Sequence, residues 1–125
     1  MKILSTVFAG LVCTLGLASF NAYAAESTLK TVAYINENMT TLVGQTVSAQ
    51  GKVVKVNSGI MRRNFVHVQD GTGMTGTDNL IVTSTQNAKV GDEVTISGVV
   101  VLNRDFGGGY SYPLLIEDAS ITVQQ

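Results

Sequence analysis

Tryptophan is absent from this 125-residue chain, and proline, histidine and cysteine occur once each. A single cysteine, Cys13, cannot form an intrachain disulfide. One histidine, His67, cannot supply a multi-histidine metal shell of the usual zinc type. Charged residues make up only 14% of the chain and the formal net charge is −1, so no global field draws it to nucleic acid or to anionic lipid. Any such binding has to come from a local basic patch. After the first twenty residues no further apolar run reaches spanning length, which predicts a mature chain without a membrane span.

The N-terminus has the layout of a secretory signal. Lys2 gives a positive start, Ile3 to Leu17 is almost continuously apolar, and Ala22-Tyr23-Ala24 provides a small-residue cleavage site. Residues 1–24 are therefore expected to be removed as a signal peptide, and the product to be periplasmic or secreted. Val12 precedes Cys13 where a lipid-attachment signal needs a small residue, so Cys13 leaves with the signal. The mature chain would then have about a hundred residues, one small domain with a modest core. It would contain no thiol.

Residues 25–43 read as a leader and a short helix. Val32, Ile35, Met39 and Leu42 recur at spacings of three and four, forming one apolar stripe, and Gly44 stops it. Residues 44–125 read as strands. "QTVSAQGKVVKVN" is valine-rich and interrupted by Gly51, which suits a long strand bent at the glycine. Phe65 to Gln69 follows as a second strand, the Asp70-Gly71-Thr72-Gly73 segment as a turn, and "NLIVTST" as a third strand. "EVTISGVVVL" is the fourth, "NRDFGGGYSY" is expected as a loop, and "PLLIEDASITV" is the fifth, with Pro113 at its start. Five strands at short spacing, two of them bent at glycine, predict an all-β fold closed as a small Greek-key barrel behind the helix.

Three motifs occur in a suggestive order: "GKVVKV", then "FVHVQDGTG" from Phe65 to Gly73, then "VGDEVTISG" from Val90 to Gly98. Together they resemble the five-stranded OB-fold nucleic-acid-binding domains, most of all the anticodon-binding type. The chain is also similar to small exported bacterial OB-fold proteins, some of them accessory or metal-handling factors. The resemblance covers the chain from about Gly44 onward. It implies that the aromatic at Phe65 stacks on a base. The relatives often carry a polar base-reading side chain on the next strand, where this chain offers Ile81, with Thr83 beyond it, if Leu80 and Val82 face inward.

The strand period points the same way. Val66 and Val68 share one face, the natural core face, and Phe65, His67 and Gln69 share the other. Two loops should flank that open face. One brings Met61, Arg62, Arg63 and Asn64; the other brings Arg104, Phe106, Tyr110 and Tyr112 around Gly107, Gly108 and Gly109. Arginine pairs with anionic oxygens and aromatic rings stack on planar ones, so these residues with Phe65 and His67 form a candidate single-strand-binding groove. Two readings stand beside it. The Tyr110–Tyr112 segment could instead fold over Phe65 as a lid, and His67 with the thioether of Met61, joined by Met74, could hold Cu(I).

Catalysis has less support. Asp92-Glu93 and Glu117-Asp118 are sequence neighbours, and on a strand neighbours point apart. No nucleophile elbow accompanies His67, and the glycines at 107–109 lack the lysine and helix of a phosphate loop. The sequence thus predicts a non-enzymatic binding protein without a cofactor. Its expected partner is single-stranded nucleic acid or another anionic, ring-bearing ligand. The alternatives are a copper-handling accessory factor for a redox enzyme and a module that binds envelope proteins.

Overall fold

The computed structural model describes residues 28–124, so the expected signal peptide lies outside the described residues. Two short helices, α1 (Val32–Glu37) and α2 (Met39–Leu42), precede five strands. These are β1 (Thr46–Ile60), β2 (Arg63–Gln69), β3 (Leu80–Ser84), β4 (Glu93–Gly107) and β5 (Tyr110–Val123). They close into a barrel in the order β1-β2-β3-β5-β4, antiparallel except where β3 meets β5. The expected all-β barrel is present.

The helical stripe forms as expected but in two pieces. The chain leaves helical geometry at Asn38, whose side chain donates to the Tyr34 carbonyl. Val32, Ile35 and Leu42 are buried and Met39 packs beside them, so both pieces serve one apolar face. That face joins the barrel core, which contains Val47, Ala49, Val53, Val66, Val68 and Val82 among others.

Asp70 and Thr72 hold the helix in place. The Asp70 carboxylate accepts from the Val32 N–H at 2.9 Å, and the Thr72 hydroxyl accepts from the Ala33 N–H at 3.0 Å. The first turn of a helix has backbone donors without helical acceptors, so the turn after β2 acts as its cap from a distance in sequence. The Asp-Gly-Thr-Gly stretch is therefore an anchor for α1.

Gly51 has the role its position in β1 suggested. A Cβ there would stand 2.6 Å from the Gln69 carbonyl oxygen and 2.6 Å from a Val68 methyl. Only glycine lets β1 press against the end of β2.

The parallel contact between β3 and β5 shows one paired position, Val82 with Ile116. Side chains supply much of the remaining hydrogen bonding. The Ser84 hydroxyl donates to the Ala119 carbonyl at 2.6 Å, the Thr83 hydroxyl accepts from the Asp118 N–H, and Gln86 bonds both backbone groups of Ile121. Thr83 and Ser84 are buried, and each is satisfied by these bonds.

Candidate functional site

The segment expected as a loop, "NRDFGGGYSY", is instead the end of a long hairpin. β4 runs on to Gly107 and β5 starts at Tyr110, leaving Gly108 and Gly109 at the tip. Gly107, Gly108 and Gly109 all have positive φ, a conformation glycine adopts without steric cost, and this makes the tight reversal possible. Pro113 is not the first residue of β5 but its fourth. It stands opposite Asn103, in a gap between the Leu102–Leu114 and Arg104–Tyr112 pairs.

This hairpin decides the fate of Phe65. Phe65 does point away from the core cluster that holds Val66 and Val68, as the strand period requires. Yet it is 0% exposed, so the expectation that it lines an open face is corrected. The Tyr112 ring is stacked on it, with centroids 5.5 Å apart and planes 30° from parallel. Phe106 meets it edge-on at 5.5 Å, and Tyr110 lies tilted at 6.0 Å. Aromatic pairs favour such offset and edge geometries, and burying a large ring outweighs leaving it in water. The lid arrangement is the one adopted.

The arginines gather on the outside of this cluster. The guanidinium of Arg63 lies 4.9 Å from the Phe106 ring centroid and that of Arg104 lies 4.4 Å from it. Arg104 also donates from Nε to Glu117 at 3.0 Å. That is the one ion pair among the described residues, so Arg62 and Arg63 have no carboxylate partner there. Arg62 is exposed in the turn between β1 and β2. Both turn residues, Met61 (φ 52°) and Arg62 (φ 67°), sit in the left-handed region, as a two-residue hairpin of the primed type demands.

The other candidate residues separate from this group. Asn64 is committed to structure: its side chain accepts from the Gly59 N–H and donates to the Gln86 carbonyl. His67 is half-buried and pairs across the sheet with Lys55 and Ile81. Its Nδ1 faces the Asn79 amide at 3.4 Å. Burial, and then the Lys55 ammonium, hold the His67 imidazolium below its ordinary pKa. Burial, and then neighbouring Tyr110, raise that of the Tyr112 hydroxyl.

Met61 and His67 do not form a pair. Arg63 faces Ile60 across the turn, and His67 is four residues further along β2, about 13 Å at strand rise. Met74 stands in the loop after β2, almost fully exposed. Among the described residues no three His, Cys, Asp or Glu side chains cluster in a way that could hold a metal ion, and no helix is long and apolar enough to cross a membrane.

No protein-family model matches the chain, and no curated protein matches it. Solved structures do share its architecture. OBody AM3L09, bound to hen egg-white lysozyme, is similar with a TM-score of 0.54 and 20% identity over 75% of this chain and 92% of that one. OBody AM1L10, also bound to hen egg-white lysozyme, gives 0.51 and 21% over 76% and 91%. An aspartyl-tRNA synthetase from Leishmania major Friedlin gives 0.51 and 12% identity over 78% of this chain but 21% of that much longer one. Likeness at such identities concerns the fold, and together with the closed β1-β2-β3-β5-β4 order it makes this an OB-like barrel.

Proposed function

We propose that the chain is a non-enzymatic binding protein that acts after export, in the periplasm or outside the cell. Its ligand is anionic and ring-bearing, with single-stranded nucleic acid the first candidate. The observation that carries this reading is the pair of guanidinium groups, Arg63 and Arg104, held over one ring, Phe106. An aromatic face positions a cation without neutralising it, and such contacts contribute about 0.5–1 kcal/mol at exposed sites. The N–H fork of Arg63 stays available for phosphate or carboxylate oxygens, and Arg104, held by Glu117 through Nε, keeps its terminal N–H groups. Arg62, exposed in the preceding turn, adds a third cation at this end of the barrel's β1–β2 hairpin. Phe106, Tyr110 and Tyr112 are half-exposed and offer ring surface to a ligand, with Phe65 as the buried floor beneath. His67, outside the aromatic cluster, serves at most as a flanking contact. The OBody structures support the idea of such a barrel as a binding scaffold, since each is bound to lysozyme.

Fluorescence anisotropy with labelled oligodeoxythymidine, at two salt concentrations, tests the reading. Arg63→Ala should weaken binding and reduce the salt slope by about one counterion. Phe106→Ala should weaken it at both salt concentrations, because both guanidinium groups lose their support. No binding by the wild type at low salt would leave the OB-like fold without this function. Mass spectrometry of the exported product, expected to begin at Ala25, tests the location.

A further inference from the structure

On the outer face of the barrel, lined by none of the arginine cluster, lies a cleft of about 470 Å³. The volume is within the range of small-molecule pockets. Its centre is Lys52, which faces Gln69 of β2 on one side and Glu93 of β4 on the other. Cross-strand partners project to the same face, so these three side chains stand in one row. Gln124 extends the row, because its N–H donates to the Glu93 carbonyl at 2.8 Å. The order around the barrel is amide, ammonium, carboxylate, amide.

Two details give the row a chemical polarity. Lys52 and Glu93 are register partners, yet no ion pair joins them. Their charges remain available to something between them. The amides of Gln50 and Gln124 both donate from Nε2 to the Thr95 hydroxyl, at 3.3 and 2.9 Å. Thr95 thereby orients them, and their Oε1 atoms have no donor among the described residues. The cleft thus offers three acceptors, Glu93 and two amide oxygens, next to one cation; the Asp70 carboxylate also lines it but is engaged by the Val32 and Thr72 N–H groups.

We infer that this cleft binds the zwitterionic head of a free α-amino acid. An α-ammonium has three N–H donors, which match the Glu93 carboxylate and the amide oxygens of Gln50 and Gln124. The α-carboxylate then meets the Lys52 ammonium, with the Gln69 amide beside it. Lys52 and Glu93 rise from directly opposed positions on adjacent strands, about 4.8 Å apart at the backbone, so a ligand carrying both charges close together can reach both side chains. Val54 lies at the edge of the cleft for the side chain.

The test is an NMR titration of the isotope-labelled protein with neutral L-amino acids, beginning with L-alanine, L-serine and L-glutamine. Saturable shifts centred on Lys52, Gln69, Glu93 and Gln124 are expected. N-acetylation or C-amidation of the same amino acid should each weaken binding about tenfold, or about 1.4 kcal/mol. Lys52→Met should weaken the parent amino acid while leaving its amide unchanged. Glu93→Gln should weaken the parent and leave the N-acetyl form unchanged. Both side chains are exposed, so both variants should retain the wild-type spectrum elsewhere. Absence of saturable shifts, equal binding of the blocked forms, or tighter binding of a dipeptide than of either free amino acid would overturn the assignment.

Discussion

Tyr112 takes the position on Phe65 that a stacked ring of a ligand would occupy, at 5.5 Å between centroids and 30° between planes. The residue that fold resemblance nominates as a binding platform is thereby converted into a small core of its own, roofed by Phe106, Tyr110 and Tyr112. Its replacement should register first in stability. Phe65→Ala is expected to cost about 3–5 kcal/mol, the usual range for a fully buried phenylalanine. Urea denaturation followed by circular dichroism measures it. A cost below about 1 kcal/mol, typical of surface positions, would mean that the ring is exposed in solution.

The β1–β2 turn combines strain with a proposed contact. Met61 and Arg62 both hold left-handed backbone, which costs a side-chain-bearing residue roughly 1–2 kcal/mol. Asn-Gly is the pair such turns prefer. The double substitution Met61→Asn, Arg62→Gly should therefore raise the urea midpoint while weakening anionic-ligand binding. A gain in stability with unchanged affinity would remove Arg62 from the site.

Acid should loosen the helix from the barrel. Burial raises the Asp70 pKa, but the hydrogen bonds from Thr72 and Val32 together outweigh it, and the net shift is downward. A depressed carboxylate pKa contributes stability that is complete above the unfolded value and is lost as pH falls through the folded one. The window lies below the ordinary carboxylate range. Asp70→Asn should show less acid dependence there than wild type, and Asp70→Ala should cost about 1 kcal/mol at neutral pH as a lost cap. Chemical denaturation at a series of pH values separates the two effects.

His67 acts at milder pH with the same sign. Its folded pKa is depressed, so the folded state favours the neutral ring. The unfolded chain takes up the proton first as pH falls from neutrality. Stability should decline below the ordinary histidine value and level off once the folded ring is also protonated. In His67→Gln this component should vanish. A decline of equal size in the variant would assign it to another group.

Periodicity along the chain was enough to locate the helical stripe and the inward faces of the strands. Val66 and Val68 alternate with Phe65 and His67, Val32, Ile35 and Leu42 recur at helical spacing, and Gly51 interrupts a valine run. Each of these is a local pattern imposed by strand or helix geometry, and each appears in the structure where its spacing puts it. Alternation also identified the face to which Phe65 belongs. What covers that face was beyond it, because the covering rings come from more than forty residues away. A glycine-rich stretch reads equally well as a loop or as the tip of a hairpin. Only packing, in which Phe65, Tyr112 and Phe106 exclude water together, extends β4 and β5 and folds them down. The same holds for the buried hydroxyls of Thr83 and Ser84, polar in sequence, whose partners on β5 exist only once the barrel closes. Likewise, the row from Gln69 through Lys52 and Glu93 to Gln124 is spread over the whole domain in sequence and assembled by strand register alone.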